Sequence, residues 1–388
     1  MRVVIDGRMI LPQMSGIGRY LIGLSRALRD LGGETSFGGE TSFGDSFFEL
    51  WLQEDLSIDH PARKLAGKHF RVRVLPVKHM CLSGQWQIPY EAARSHADLF
   101  HFPHFDLPWA TPGRVVATIH DLKYIAHPEF FPEFEDAKRL AMQIMMSFTC
   151  RRAQRVICVS KFTAQDLSAR LGVPPHNLRV APHGVDERFF QETPLTAIQE
   201  LRNRLDIYRP FILFVGERRP HKNLIGLLKA FALFKRMTDQ PFQLVIAGRS
   251  YADYREPEKI IRHYGLADAV QLLDYVSEFD LPILYKAAEA FVLLSHYEGF
   301  GLPVLEAMAS GTPVVASNCT ALPEVVGQAG VLVDPNEPAQ AAEALRQVVC
   351  GGPQREHLIA LGKEHVRQYT WQRCAQMTLE VYREAHTQ

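Results

Sequence analysis

Two glutamates eight residues apart, in Glu298-Gly-Phe-Gly-Leu-Pro-Val-Leu-Glu306-Ala-Met-Ala, enclose two glycines and a proline. Gly299 and Gly301 allow a tight turn whose backbone N–H groups come close to a ligand. Pro303 suits the first turn of a helix, where its missing N–H costs nothing. A helix N-terminus carries roughly half a positive charge and several unpaired N–H groups, so it suits phosphate. Eight helical residues span about 12 Å at about 1.5 Å each, an upper guide because part of the segment is a turn. That scale separates a ribose from a hexose across a diphosphate. The two acids therefore read as holders of opposite ends of one nucleotide-diphosphate sugar. A strand–turn–helix with two solvated glutamates is the plain alternative. A glycosidase pair needs two acids within roughly 5–10 Å across one bond, which this pattern fits poorly.

A second chemical motif is Gly216-Glu-Arg218-Arg219-Pro-His-Lys222-Asn223-Leu. Lys222 and Arg218 could face a diphosphate, one as a point charge and the other as a fork. A merely solvated basic helix start is disfavoured, because cations oppose the dipole there. His120 ends the run Val115-Val-Ala-Thr-Ile, and ligands of open α/β sheets bind beyond the carboxyl ends of strands. A lone loop histidine is otherwise structural. His101 and His104 follow another strand cue and could line an acceptor pocket; metal ligation is not expected, because no carboxylate or cysteine set completes it.

These residues need strands behind them and helices after them. Ala290-Phe-Val-Leu-Leu reads as the buried strand leading to Glu298, and Phe211-Ile-Leu-Phe-Val as the one leading to Gly216. Further strand cues stand at 3–5, 99–102, 114–119, 155–159, 178–181, 243–247, 270–273 and 313–316. Helical spacing alternates with them, notably over 136–152 and 161–171, which predicts parallel sheets covered by helices. The opening strand is followed by a loop over 6–18 with Gly16 and Gly18, then by helical spacing from Arg19 to Leu31. Without a full G-x-G-x-x-G this is weak evidence for a nucleotide, and the glycines could simply shape a turn. The turn-rich Pro182-His-Gly-Val-Asp186 places a linker near 183–205.

A chain of 388 residues exceeds one typical core, and 47% hydrophobic with 22% charged residues marks a globular protein. The formal net charge is zero, which gives nucleic acid no electrostatic footing. Residues 1–185 hold 22 Lys/Arg against 18 Asp/Glu (+4), and the rest 21 against 25 (−4). Six scattered cysteines without a C-x-x-C suit a reducing cytosol. No signal peptide is read at the N-terminus, and no apolar run approaches the roughly 20 residues of a membrane span. Residues 32–43 repeat GGETSF twice; two copies are too few for a solenoid and read as a surface loop. Residues 63–78 carry six cations and no acid, either an edge strand with a solvated face or a patch for anionic lipid or a polyprenyl diphosphate.

The Glu298–Glu306 segment, the following Gly311-Thr-Pro-Val-Val-Ala and the Gly216–Lys222 loop together resemble retaining glycosyltransferase family four, the glycosyl transferases group 1, over most of the chain. The resemblance implies a GT-B fold: α/β, two Rossmann-like domains with parallel sheets facing a cleft. It assigns 1–185 to an acceptor-side domain, 186–370 to a nucleotide-sugar domain, and 371–388 to a helix returning to the first. It implies transfer of a hexose, with retention, from a GDP- or UDP-sugar to a saccharide or polyprenyl-linked acceptor, in surface polysaccharide synthesis, on the cytoplasmic side with peripheral membrane contact. By resemblance His120 and Glu298 lie at the transferred sugar, and Glu306 binds the ribose. Gly299, Phe300, Gly301 and Leu302 hold phosphate with Lys222 and Arg218, and Gly16 and Gly18 face the donor. Arg249 and Val276 lie where the family surrounds the base. The family commonly has arginine or threonine where Glu217 stands, so Arg218 is the looser match. No D-x-D triplet occurs; fixed cations and a helix dipole would neutralise the diphosphate, with no metal and no cofactor, the nucleotide sugar being substrate. A nucleotide-sugar-binding protein without catalysis is the alternative. An epimerase or phosphorylase of the same fold fits the glutamate spacing less well.

Overall fold

The computed structural model describes residues 1–31, 46–251, 254–350 and 352–387; the GGETSF repeat lies outside them. The chain divides into two compact units. The first holds 1–125, 134–184 and 369–388, and the second 126–133 and 185–368.

The first unit is a seven-stranded parallel sheet: β1 Arg2–Asp6, β2 Phe47–Gln53, β3 Phe70–Leu75, β4 Leu99–Phe102, β5 Arg114–Ile119, β6 Arg155–Cys158 and β7 Leu178–Val180. Their order is β3-β2-β1-β4-β5-β6-β7. β2 went unread in the sequence because a charge interrupts it. Glu49 sits 2% exposed, accepting from the Trp51 indole N–H at 2.8 Å and pairing with Arg2 at 3.2 Å. β3 is the edge strand, with Arg71 exposed and Arg73 half-buried along Phe70-Arg-Val-Arg-Val-Leu.

One face of this sheet is covered by the helix Gly16–Leu31 and by the chain's last helix, Trp371–Thr387. The first starts three residues earlier than its apolar spacing suggests. Ser15 caps it: its hydroxyl accepts the Gly18 N–H at 3.1 Å and its carbonyl the Arg19 N–H at 2.9 Å. Gly16 and Gly18 are therefore first-turn residues. Where the two helices meet, a Cβ on Gly23 would lie 2.2 Å from the Trp371 ring; one on Gly184, in the loop after β7, would lie 2.2 Å from the Trp371 backbone nitrogen. Only glycine admits that indole. The opposite face packs Met142, Met146 and Cys150 of the helix Asp136–Arg152, and Ile88 and Ala92 of the helix Gly84–Ser95.

The second unit is a six-stranded parallel sheet: β8 Phe211–Val215, β9 Gln243–Ala247, β10 Val270–Leu273, β11 Ala290–Leu293, β12 Val314–Ser317 and β13 Val331–Val333, in the order β10-β9-β8-β11-β12-β13. β13 went unread in the sequence. The region expected as linker is folded: the turn Glu187–Phe189, with Phe189 1% exposed, and the helix Leu195–Arg204 belong to this unit. Among the described residues no helix is long and apolar enough to cross a membrane, and the six cysteines are free thiols.

Candidate active site

In the second unit the chain winds outward from β8 through β9 to β10, then returns to place β11 on the other side of β8. The crevice at such a reversal, beyond the carboxyl ends of the strands, is where open α/β sheets take ligands. The two motifs read from the sequence are the loops that leave β8 and β11, so pairing of these strands makes the loops neighbours.

The β8 loop runs through Gly216 and the turn Pro220–Lys222 to Asn223, at φ +53°. Asn223 caps the helix Leu224–Phe234, accepting the Gly226 N–H at 3.0 Å, and donates to the Pro335 carbonyl at 2.8 Å. The loop is thereby fixed at the helix end of its basic stretch. A Cβ on Gly248 would lie 1.9 Å from the Gly216 carbonyl oxygen, so the β8 and β9 loops touch backbone to backbone.

The β11 loop carries Ser295 to Gly301, the last at φ +113°, and opens the helix Leu302–Ala309 with Pro303 in its first turn. Lys222 Nζ stands 2.5 Å from Glu298 Oε1, and the Ser295 hydroxyl donates to the same oxygen at 2.7 Å. The backbones also join, the His296 N–H donating to the His221 carbonyl at 2.8 Å. The Glu298 N–H donates to the Thr320 hydroxyl at 3.1 Å. Thr320 has φ +57°, uncommon for a β-branched residue, so part of the fold's stability holds it there. Glu306 is 1% exposed and accepts from the Tyr285 hydroxyl at 2.9 Å.

The structure thus brings Lys222, Glu298 and the Gly299–Leu302 turn to one crevice. Arg218 is more tied than its sequence suggests: it is 6% exposed, donates from Nε to the Gly248 carbonyl at 3.1 Å, and donates from one Nη to Asp274. Arg249 is exposed beside Tyr251, with its guanidinium 5.5 Å from that ring, and Val276 is half-buried. Sequence reasoning missed Ser295, Thr320 and Tyr285, ordinary residue types; Thr320 and Tyr285 meet the two glutamates from more than 20 residues away, and Ser295 from three.

It also missed an arm. Residues 126–133 lie within the first half of the chain yet belong to the second unit. They pack on the two motif loops: Phe131 against His221 (ring centroids 5.3 Å), Phe130 stacked on His296 (5.3 Å), His127 edge-on to Tyr297 (5.5 Å), and Glu133 ion-paired with Arg219. The signal was available in His127-Pro-Glu-Phe-Phe-Pro, an aromatic cluster in a turn-rich segment.

In the first unit His120 follows β5. Its ring lies edge-on to Tyr20 at 4.9 Å and 5.3 Å from His183. Nε2–H donates to the Pro103 carbonyl at 3.0 Å, which leaves Nδ1 as the acceptor of a neutral ring. Burial, then the nearby His104, pushes its pKa down to about 3. Burial thus favours the neutral form of the His120 ring. His101 lines no pocket: it is fully buried between the Tyr382 hydroxyl and the Thr118 hydroxyl, 2.7 Å from each. His104 does have a carboxylate beside it, contrary to the sequence reading, because Asp106 and His79 join it. The 63–78 cations are mostly occupied. Arg63 donates to the Leu56 carbonyl at 2.8 Å, Arg73 pairs with Glu91, and Lys64 and Lys78 lie 3.7 and 3.2 Å from Asp59 and Asp55.

Two Rossmann-like units with paired loops of this composition at the second unit's switch point define a glycosyltransferase of the GT-B class. Residues 14–189 match the family model described as Glycosyltransferase Family 4, and residues 198–365 that of Glycosyl transferases group 1. The chain is 30% identical to O-antigen chain mannosyltransferase B of Escherichia coli over 99% of its own length and 100% of that protein's. It is 34% identical to D-inositol 3-phosphate glycosyltransferase of Paenarthrobacter aurescens over 60% of this chain and 58% of that one. The chain belongs to glycosyltransferase family four. Its fold resembles Anabaena HepE solved with UDP and glucose (TM-score 0.78, 19% identity, 99% of both chains). It also resembles the lipopolysaccharide glycosyltransferase WaaG (TM-score 0.71, 16% identity, 98% of this chain and 99% of that one).

Proposed function

We propose that this glycosyltransferase moves a hexose, mannose in the first instance, from a GDP- or UDP-sugar to a saccharide or polyprenyl-linked acceptor in surface polysaccharide synthesis, with retention at the anomeric carbon. The observation that carries the reading is the Lys222–Glu298 pair, held by neighbouring loops at the switch point. In the donor complex Lys222 turns to the diphosphate, assisted by Arg218 and the amides of Gly299 to Leu302, and Glu298 is released to the sugar hydroxyls. Glu306 takes the ribose, with Arg249 and Val276 toward the base. In the first unit Gly16 and Gly18 serve the donor, and neutral His120 offers Nδ1 to a sugar hydroxyl. The leaving phosphate oxygen takes the acceptor proton while fixed charges stabilise the developing anion. No cofactor enters this step. The full-length likeness to an O-antigen mannosyltransferase supports the sugar and the pathway class.

A peripheral site on the inner membrane face, cytoplasmic in location, suits a polyprenyl-linked acceptor. Supporting it, Trp109 (63% exposed) stacks on Phe148, and Phe148 lines one groove with Leu140, Ile144, Arg151 and Arg152. Apolar side chains beside arginines fit an anionic lipid surface.

The test is a thermal-shift screen of UDP, GDP and ADP with their sugars, followed by product analysis by NMR. A nucleotide at 100 times its Kd adds about 2.7 kcal/mol. Stabilisation by a nucleotide and an axial-to-axial product support the reading. No stabilisation by any nucleotide, or inversion, overturns it. Binding without transfer or donor hydrolysis across a broad acceptor panel selects a catalytically inactive binding protein.

A further inference from the structure

The loops that follow β3 and β4 bring three ligating side chains together, far apart in sequence: His79, His104 and Asp106. One atom of each lies within 4.8 Å of the others. His79 Nε2 is 2.8 Å from Asp106 Oδ2, and His104 Nδ1 is 3.3 Å from Asp106 Oδ1. The two imidazoles meet edge to face with centroids 5.3 Å apart. Asp106 is 5% exposed. His79 Nε2 is buried, and the Asp106 carboxylate at 2.8 Å is the polar group it faces. A buried carboxylate faced by two imidazole nitrogens is a donor set that a cation satisfies.

Charge accounting points the same way. The nearest buried cation, Arg8, is 1% exposed and forks onto Asp6 with contacts of 2.8 and 2.7 Å, its remaining arm donating to the Lys78 carbonyl at 3.0 Å. Burial works against the Arg8 charge, and Asp6 more than restores it, with a smaller contribution from Asp106. Arg8 thus closes its account with Asp6. Asp106 has the two imidazoles as its direct partners, at 2.8 and 3.3 Å, and no direct contact with Arg8 is among its ion pairs.

We propose that His79, His104 and Asp106 form a site for a divalent transition-metal ion of the zinc class. Two imidazole nitrogens and one carboxylate oxygen are borderline ligands of the kind Zn²⁺ and Co²⁺ take, and three protein ligands leave a fourth position open. Bonds of about 2.0–2.1 Å in a tetrahedron place donor atoms about 3.3 Å apart. The contacts of 2.8 and 3.3 Å reach that spacing with small side-chain rotations. The ion would tie the chain after Leu75 to the chain after Phe102 at the carboxyl end of the first sheet. It thereby fixes the loop that presents Trp109. This site is independent of the donor-binding reading in the second unit.

The experiment uses full-length, tag-free protein stripped with a chelator. Co²⁺ is titrated while visible absorption is followed, and Zn²⁺ by calorimetry. The expected result is one ion per chain, with the visible band of a four- or five-coordinate Co²⁺ displaced by Zn²⁺. Affinity should fall at least tenfold in His104→Gln and disappear in His79→Gln/His104→Gln. Absence of binding, or binding unchanged in the double variant, overturns the site. Should the variants fail to fold, the wild type decides. Zn²⁺ must protect His79 and His104 from diethylpyrocarbonate, read by peptide mass spectrometry, and equal modification with and without Zn²⁺ overturns the proposal.

Discussion

Lys222 and Glu298 form a charge pair with side chains 16% and 12% exposed, and Lys222→Met tests what the pair does. In the ligand-free protein the substitution leaves Glu298 with the Ser295 hydroxyl and the loss of its cation. Removing one member of a fully buried pair costs about 3–5 kcal/mol. Partial exposure and the Ser295 bond reduce this, and we expect about 1–3 kcal/mol. For a unit of this size that is a fall of roughly 2–10 °C in Tm. Glu298→Gln should cost a similar amount, now by stranding the lysine. The double variant Lys222→Met/Glu298→Gln removes both charges, so it should be more stable than the sum of the singles predicts, by about 1–2 kcal/mol. Transfer behaves oppositely. A charge-assisted contact to the departing diphosphate is worth about 1.5–3 kcal/mol, so Lys222→Met should lower turnover by roughly 10- to 150-fold, with no recovery in the double variant. Urea unfolding of the four proteins, with a donor-consumption assay on each, gives both cycles. Strict additivity of stability would refute the pair as an internal contact. Double-variant turnover close to wild type would refute its role toward the donor.

Phe131, 1% exposed against His221, should cost about 3–5 kcal/mol when cut to alanine; where the protein still folds, donor KM should rise more than kcat falls, which steady-state kinetics would show. Gly23→Ala sets a methyl 2.2 Å from the Trp371 ring, so its Tm should drop by several degrees and trypsin should release the terminal helix; an unchanged melting curve would contradict that packing. His101 is held near a pKa of about 3 by burial, against 6.5 when free. Its folded-state pKa is depressed, so the unfolded chain binds the extra proton between those values, and stability is lost as pH falls below about 6.5. At pH 5 the loss is about 2 kcal/mol relative to pH 8. Denaturant midpoints at the two pH values, compared with those of His101→Asn, isolate this contribution.

The sequence showed the donor loops well, because Glu298, Gly301, Pro303 and Lys222 sit on turn and cap signals that act locally. It showed the parallel sheets for a related reason: strands buried on both faces read as unbroken apolar runs, as in Phe211-Ile-Leu-Phe-Val. β2 escaped because Glu49 is buried inside it. His101 was misplaced because a histidine at a strand end has the same local pattern whether it lines a crevice or, as here, bonds to a tyrosine 281 residues away. The His79–Asp106 contact was beyond reach, since nothing in either partner's neighbourhood encodes the meeting; the aromatic cluster at 127–132 marked the arm but not its partner His221.

Trp371, Cys374, Ala375, Leu379 and Tyr382 belong to the same core cluster as Val3, Ile5 and Leu21. The first unit is therefore opened by the earliest residues made and closed by residues that follow the whole second unit. At the ribosome, roughly 10–40 s separate residue 184 from the end of the terminal helix. Throughout that interval the face of the first sheet that receives Trp371 stays uncovered. Premature termination anywhere in the second half therefore leaves the first half incomplete as well.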